Sequence, residues 1–148
     1  MNRQIKITMK DSFFTTIIPR IIKLIFVFCA FYFFLMGASL IFIPEFLTKG
    51  FSDTTINPTI IGMLRGAGGS IIPYSILYIF LALDPYRKLW ALYVILAANI
   101  LAIILDLGSV IFGEYSILNA IIDIPVELIS ILGIILVFWT NKKITTNT

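Results

Sequence analysis

The run from Thr59 to Leu83 is apolar and long enough to cross a bilayer, yet it carries an arginine, Arg65, inside it. Gly66, Gly68, Gly69 and Ser70 follow directly. A charge held within hydrocarbon costs about 2.5 kcal/mol or more, so this run demands compensation from elsewhere in the chain. Three further apolar runs, at about 21–43, 89–112 and 117–139, accompany it. Each has the length that a hydrocarbon core of roughly 30 Å requires of a helix.

Composition agrees with a membrane chain. Of 148 residues, 59% are hydrophobic and 13% charged, against about 45–50% and about 25% in a soluble domain. So little polar surface would not keep a chain of this length in water. Its size suits one membrane domain spanning 1–148. The single cysteine, Cys29, lies in an apolar run, which excludes an intrachain disulfide and reads as a packing residue. With no histidine present, imidazole ligation of metals and imidazole acid–base chemistry are excluded.

Residues 1–20 are basic. Ile5, Met9, Phe13 and Ile17 recur every four residues while Arg3, Lys6 and Lys10 take other faces. Two readings fit: an amphipathic helix in the headgroup region, or a frayed basic tail. The first span follows Pro19 and is ended by Pro44. Gly37-Ala38-Ser39 offers small residues for a signal peptidase, but the apolar run continues through Ile43 and is too long for a signal segment. An uncleaved anchor is expected.

Residues 44–58 form the longest connection, with Phe46, Leu47 and Phe51 suited to the membrane surface. Asp84-Pro85-Tyr86-Arg87-Lys88 is so short a link that the second and third spans must form a helical hairpin. Gly113-Glu114-Tyr115-Ser116 turns the chain again, Trp90, Tyr93 and Trp139 suit interfacial positions, and residues 140–148 form a basic tail. Arg3, Lys6, Lys10, Arg20, Lys23, Arg87, Lys88, Lys142 and Lys143 fall on one side of such a bundle, and only Lys49 on the other. Basic residues favour the cytoplasmic side. The expected fold is therefore all-α: an integral membrane four-helix antiparallel bundle in the bacterial plasma membrane, with both termini cytoplasmic.

A helix rises 1.5 Å per residue, which puts Arg65, Asp106 and Asp123 each about 9 Å below the outer end of its span. Three spans would then bring one arginine and two aspartates to one layer. Glu127 lies one turn beyond Asp123 and Asn119 one turn before it, so the three share a face. Asn99 lies seven residues from Asp106, on the same face and deeper. Pro125, between the two acids, frees a backbone carbonyl near them. Gly62, Gly66 and Ser70 form a row of small residues four apart, the pattern that lets a neighbouring helix approach closely. Tyr74 and Tyr78 line a face further down.

Arg65 paired with Asp106 or Asp123 reads as a buried ion pair that fixes helix register. The charge count supports a second reading. One arginine does not neutralise Asp106, Asp123 and Glu127 together, so the excess calls for a proton, water or a cation. That is the chemistry of a proton relay, an ion site or a pocket for a small ligand.

Gly37, Pro44, Arg65-Gly66-Ala67-Gly68-Gly69, Asp84-Pro85-Tyr86-Arg87 and Asp106, at their positions in the four spans, resemble the small four-span bacterial membrane proteins grouped as BphX-like or DoxX-like. The resemblance covers most of residues 30–140. It implies a four-helix integral membrane fold and carries over no catalytic residue; Asp123 and Glu127 lie outside its pattern.

There is no phosphate loop, no Cys or His cluster and no Ser-His-Asp set. No enzymatic activity, cofactor or metal is expected, and basic residues divided among short flanks give no reason for nucleic-acid binding. The bilayer is the expected partner, together with a second copy or another membrane protein. The leading expectation is a structural or accessory membrane protein whose Arg–Asp layer fixes packing. The alternative is a small proton- or cation-coupled transporter, channel subunit or ligand-binding protein that uses Asp106, Asp123 and Glu127.

Overall fold

The computed structural model describes residues 16–45, 58–113 and 117–146, without the side chains at 118, 119 and 143–146. Of the 1–20 segment, expected as an interfacial helix or a frayed tail, residues 1–15 lie outside the described residues, as do most of the 44–58 connection, Lys49 and the side chain of Asn119. The described chain is all helix, with no strand: α1 (Ile18–Phe42), α2 (Pro58–Leu83), α3 (Leu89–Ile111) and α4 (Ile117–Thr146). Among the described residues, four helices are long and apolar enough to cross a membrane.

The helix boundaries follow local chemistry. Pro19 sits in the first turn of α1, where a missing N–H costs nothing. The helix closes with Ile43 N–H donating to the Ser39 carbonyl at 2.9 Å, just before Pro44. In the link between α2 and α3, Arg87 is held to Asp84 by a 3.3 Å ion pair. Lys88 lies 4.3 Å over the ring of Phe80. Gly113 ends α3 at φ +73°, a left-handed conformation that glycine takes without a Cβ clash. α4 runs to Thr146, past the expected end near 139. No Gly or Pro follows Trp139 to stop it, so the helix continues beyond its apolar stretch.

Outward faces are apolar. Leu24, Phe31, Met63, Leu101, Leu105 and Leu132 are among many large apolar side chains left exposed. In a water-soluble bundle that surface would be untenable, whereas in hydrocarbon it is the solvated one. The apolar core gathers at the end of the bundle that carries the 84–88 link. Ile22, Phe26, Leu81, Leu92, Ile95, Ile134 and Val137 are all fully buried there.

At the other end, backbone proximity takes over. α1 and α2 form the most extensive pair. They cross where Gly37 faces Gly68: a Cβ at Gly68 would stand 2.6 Å from the Gly37 carbonyl oxygen, and one at Gly37 would stand 3.0 Å from the Gly68 carbonyl oxygen. Further along, Phe33 stacks on Tyr78 at 5.3 Å between ring centroids. α4 joins α1 through Gly133, which lies against Ile25 and Phe26, and it joins α3 through Tyr93 and Phe138.

The glycine row expected to pack is therefore not the one that does. Among the described residues, a Cβ at Gly62 or Gly66 would meet nothing within 4 Å, and Ser70 is exposed, its hydroxyl donating to the Gly66 carbonyl of its own helix. Spacing along one helix marks a smooth stripe, but the close crossing also needs a small residue opposite. Gly37 supplies it to Gly68, and docking on that side turns Gly62, Gly66 and Ser70 outward.

Candidate functional site

Polar side chains from all four helices meet between the glycine crossing and the apolar core. The deepest group is a buried network. Tyr78 on α2 and Ser130 on α4 share a hydrogen bond of 2.5 Å between their hydroxyls. Asn99 on α3 donates through Nδ2 to Ser130 Oγ at 2.9 Å, to its own helix at the Ile95 carbonyl at 2.9 Å, and to Tyr78 Oη at 3.2 Å. The three side chains tie three helices together. In hydrocarbon, where no water competes, such bonds contribute about 0.6–2 kcal/mol each.

One turn along α4 from Ser130 stands Glu127, and one further turn on stands Asp123; the three share a face because they are spaced three and four apart. Glu127 is only 7% exposed, and its Oε2 atom has no hydrogen-bond partner among the described residues. Tyr32 of α1 donates its hydroxyl to the Asp123 carboxylate. Asp106 on α3 is half-buried. The charges of Asp106 and Asp123 both act on Glu127, and Asp123 acts on Asp106, so the three carboxylates form one electrostatic group. Glu127 in turn lies within range of Tyr78.

Aromatic rings border this group. Phe33 stacks on Tyr78, meets Tyr74 at 6.3 Å and takes Tyr32 edge-on at 5.6 Å. The two tyrosine hydroxyls at the site, Tyr32 and Tyr78, thus come from an aromatic cluster that is otherwise apolar packing.

The structure brings Asp106, Asp123, Glu127 and Asn99 into one region. Arg65 is not with them. It lies on the exposed face of α2 and makes no ion pair or hydrogen bond among the described residues. The expected Arg–Asp layer is absent from the described residues for the same reason that the Gly62–Gly66–Ser70 row is turned outward. Equal depth on three helices is set by chain length, but facing is set by rotation, and the Gly37–Gly68 crossing fixes the rotation of α2. A long arginine side chain at that depth reaches toward the headgroups and lowers its own cost.

Two site residues escaped the sequence reading. Ser130 continues the Asp123–Glu127 stripe by three residues, and extending that stripe one turn would have found it. Tyr32 is the only hydroxyl in the run Phe31-Tyr32-Phe33-Phe34, a signal too slight to single it out. Tyr78 bonds to Ser130 and Asn99.

Among the described residues, no group of three or more His, Cys, Asp or Glu side chains is placed to hold a metal ion. The three carboxylates share a field without converging on one point. Comparison with family models, with characterised proteins and with solved structures finds no match for this chain.

Proposed function

We propose that this chain is a multi-pass protein of the bacterial plasma membrane, an antiparallel four-helix bundle with both termini cytoplasmic, whose core takes up positive charge at Asp106, Asp123 and Glu127. The order of contacts supports the helix directions. Gly37 meets Gly68 and Phe33 meets Tyr78, while Asn99 meets Ser130 and Tyr93 meets Phe138, so numbers rise on one partner as they fall on the other. The distribution of Lys and Arg supports the orientation. The resemblance to BphX-like and DoxX-like proteins belongs to the same proposal.

The observation that carries the acidic site is Glu127. A carboxylate oxygen out of contact with solvent and without a hydrogen-bond donor is costly. Two further carboxylates act on the same group, and the nearest candidate cation in sequence depth, Arg65, faces outward. A negative charge kept on Glu127 within hydrocarbon, with that oxygen unbonded among the described residues, is costly. A proton or a cation bound there resolves the deficit. The polar column runs from Asp123 to Ser130 and stops at the apolar core around Ile134 and Val137, so exchange from the end opposite the 84–88 link is favoured. A purely accessory role, with the polar residues serving packing alone, draws its support from the Tyr78–Asn99–Ser130 network rather than from Arg65.

Infrared difference spectroscopy of the full chain in lipid, recorded across pH, tests the acidic site. The expected result is a buried carboxylic acid C=O band that responds to pH, disappears in Glu127→Gln and persists in Arg65→Leu. A spectrum with no such band, or one unchanged by Glu127→Gln, rejects the site. Arg65→Leu should also leave the bundle at least as stable as the parent, because it removes a charge from an exposed membrane face rather than from a buried pair.

A further inference from the structure

Which positive charge Glu127 takes, and from where, follows from its position along α4, and the inference rests on the acidic-site reading above. Glu127 is buried, with Oε2 unbonded among the described residues. A metal ion would need several oxygens converging at fixed distance, and the described acids do not form such a set. A proton needs no room beyond a hydrogen bond. It also turns a carboxylate into a neutral acid, which hydrocarbon accepts at far lower cost.

Asp123 stands one turn from Glu127, toward the end of the bundle opposite the 84–88 link. Side chains of an α-helix lean toward its N-terminus, which carries Glu127 over the turn that holds Asp123. Residues four apart have Cβ atoms about 5–6 Å apart, a gap that two carboxyl groups can close to a hydrogen bond, directly or through one water. The two differ in burial: Glu127 is enclosed, whereas Asp123 is half-buried. Asp123 also lies only about 9 Å from the start of α4 at Ile117. On the other side of Glu127 the route closes. Ser130 is taken up in its bonds to Tyr78 and Asn99, and the apolar core follows.

A second helix fixes the Asp123 carboxylate. Tyr32 on α1 donates its hydroxyl to Oδ1. The Tyr32 ring is itself held edge-on by Phe33, which stacks on Tyr78. A donor anchored in this way keeps the carboxylate on the polar face of α4 instead of letting it turn toward lipid. Seven residues on from Tyr32, Ser39 is also half-buried and adds a hydroxyl to the same face of α1, nearer the end of the bundle.

We propose that Glu127 takes a proton delivered by Asp123 from the end of the bundle opposite the 84–88 link, with Tyr32 as the residue that positions Asp123. A hydronium ion at that end gives its proton to the Asp123 carboxylate and leaves as water. The Asp123 acid then passes the proton to the Glu127 carboxylate and returns to its charged form. Release runs the same two transfers in reverse. Asp123 is the exchanging group and Glu127 the storing one.

A pH jump on the full chain in lipid vesicles tests this, with the rise of the Glu127 carboxylic acid band followed by time-resolved infrared spectroscopy. Each variant is read at the pH where its own band is half-formed, so that a changed proton affinity of Glu127 is not counted as a changed route. The titratable groups around the pair are Asp106 on α3, Tyr74 and Tyr78 on α2, and Tyr32 with Cys29 on α1. Asp123→Asn should keep the band and form it about a hundredfold more slowly, the lower end of what a positioned proton-transfer group contributes. Asp123→Glu should recover most of the rate. Tyr32→Phe should slow the rise about tenfold, the rate equivalent of one hydrogen bond to a charged group, with the band's amplitude unchanged. Equal rates in the parent and Asp123→Asn, with the band present, overturn the relay while the acidic site stands. Should Asp123→Asn not fold, Tyr32→Phe, which lacks only the hydroxyl, decides the matter: a rate equal to the parent's overturns the relay. Absence of the band from the parent overturns both the relay and the acidic site.

Discussion

Valine at position 68 is expected to take the bundle apart at its α1–α2 crossing. A Cβ there would lie 2.6 Å from the Gly37 carbonyl oxygen, 2.9 Å from Leu40 Cβ and 3.0 Å from Ile41 Cγ1. The first of these is backbone and does not rotate away, so relief requires the two helices to separate. Separation would forfeit dispersion contacts along the most extensive helix pair in the structure. Overpacking of a dense core costs about 1–3 kcal/mol and occasionally more. A backbone clash on both sides of a crossing puts Gly68→Val at about 3 kcal/mol or above, a large share of the roughly 5–15 kcal/mol that holds a typical domain together. Unfolding in mixed detergent, followed by circular dichroism and by protease susceptibility, measures the loss. Gly66→Ala is the matched control. Its Cβ meets nothing within 4 Å among the described residues, and alanine is about 0.8–1.0 kcal/mol better than glycine within a helix. That variant should be neutral or slightly more stable. Damage from Gly66→Ala equal to that from Gly68→Val would put the crossing on the Gly62–Gly66–Ser70 row after all.

Asn99→Leu should have the next largest effect, and it should be felt on α3. Its Nδ2 is the group through which α3 bonds to both Tyr78 and Ser130. With leucine there, Tyr78 and Ser130 remain bonded to each other, so α2 and α4 stay linked and α3 alone loses its polar tie. Two interhelical bonds of about 0.6–2 kcal/mol each set the expected destabilisation at about 1–4 kcal/mol. Hydrogen–deuterium exchange should show α3 opening more often while α1 is little changed. Tyr78→Phe likewise removes two of the three interhelical bonds and leaves the one between Asn99 and Ser130, so it should cost a similar amount and loosen α2 rather than α3. A variant carrying Asn99→Leu that is as stable as the parent, with α3 equally protected, would show that the network does not hold that helix.

How much of this was legible beforehand differs between fold and site. Helix number and placement were open to reading because hydrocarbon accepts only segments whose backbone polar groups are satisfied internally. The four apolar runs, the proline at each end of the first and the short Asp84–Lys88 link leave little freedom. The α4 end was misplaced because hydropathy marks where a span leaves lipid and not where hydrogen bonding stops, and Asn141-Lys142-Lys143 remain helical beyond Trp139. In the site, Asp123 and Glu127 share a face through their spacing of four, a relation internal to one helix. Ser130 belonged to that same internal relation. Tyr32 did not, since its bond to Asp123 joins residues on α1 and α4 whose proximity no local pattern encodes.

Arg65 shows the limit most clearly. The sequence by itself determined that an arginine lies within the second apolar run and that three acids lie in the spans after it, with Asn99 and Asp106 on one face and Asp123 and Glu127 on another. Those are properties of length, hydropathy and helical period, which act along one helix at a time. Only the tertiary structure decided that Gly68 rather than Gly66 meets α1, and that Arg65 faces outward while Glu127 is buried with an oxygen unbonded among the described residues. A helix has the same period whichever way it is turned. Its rotation is set by which of its small residues finds a complement on a neighbour, and that depends on two helices at once.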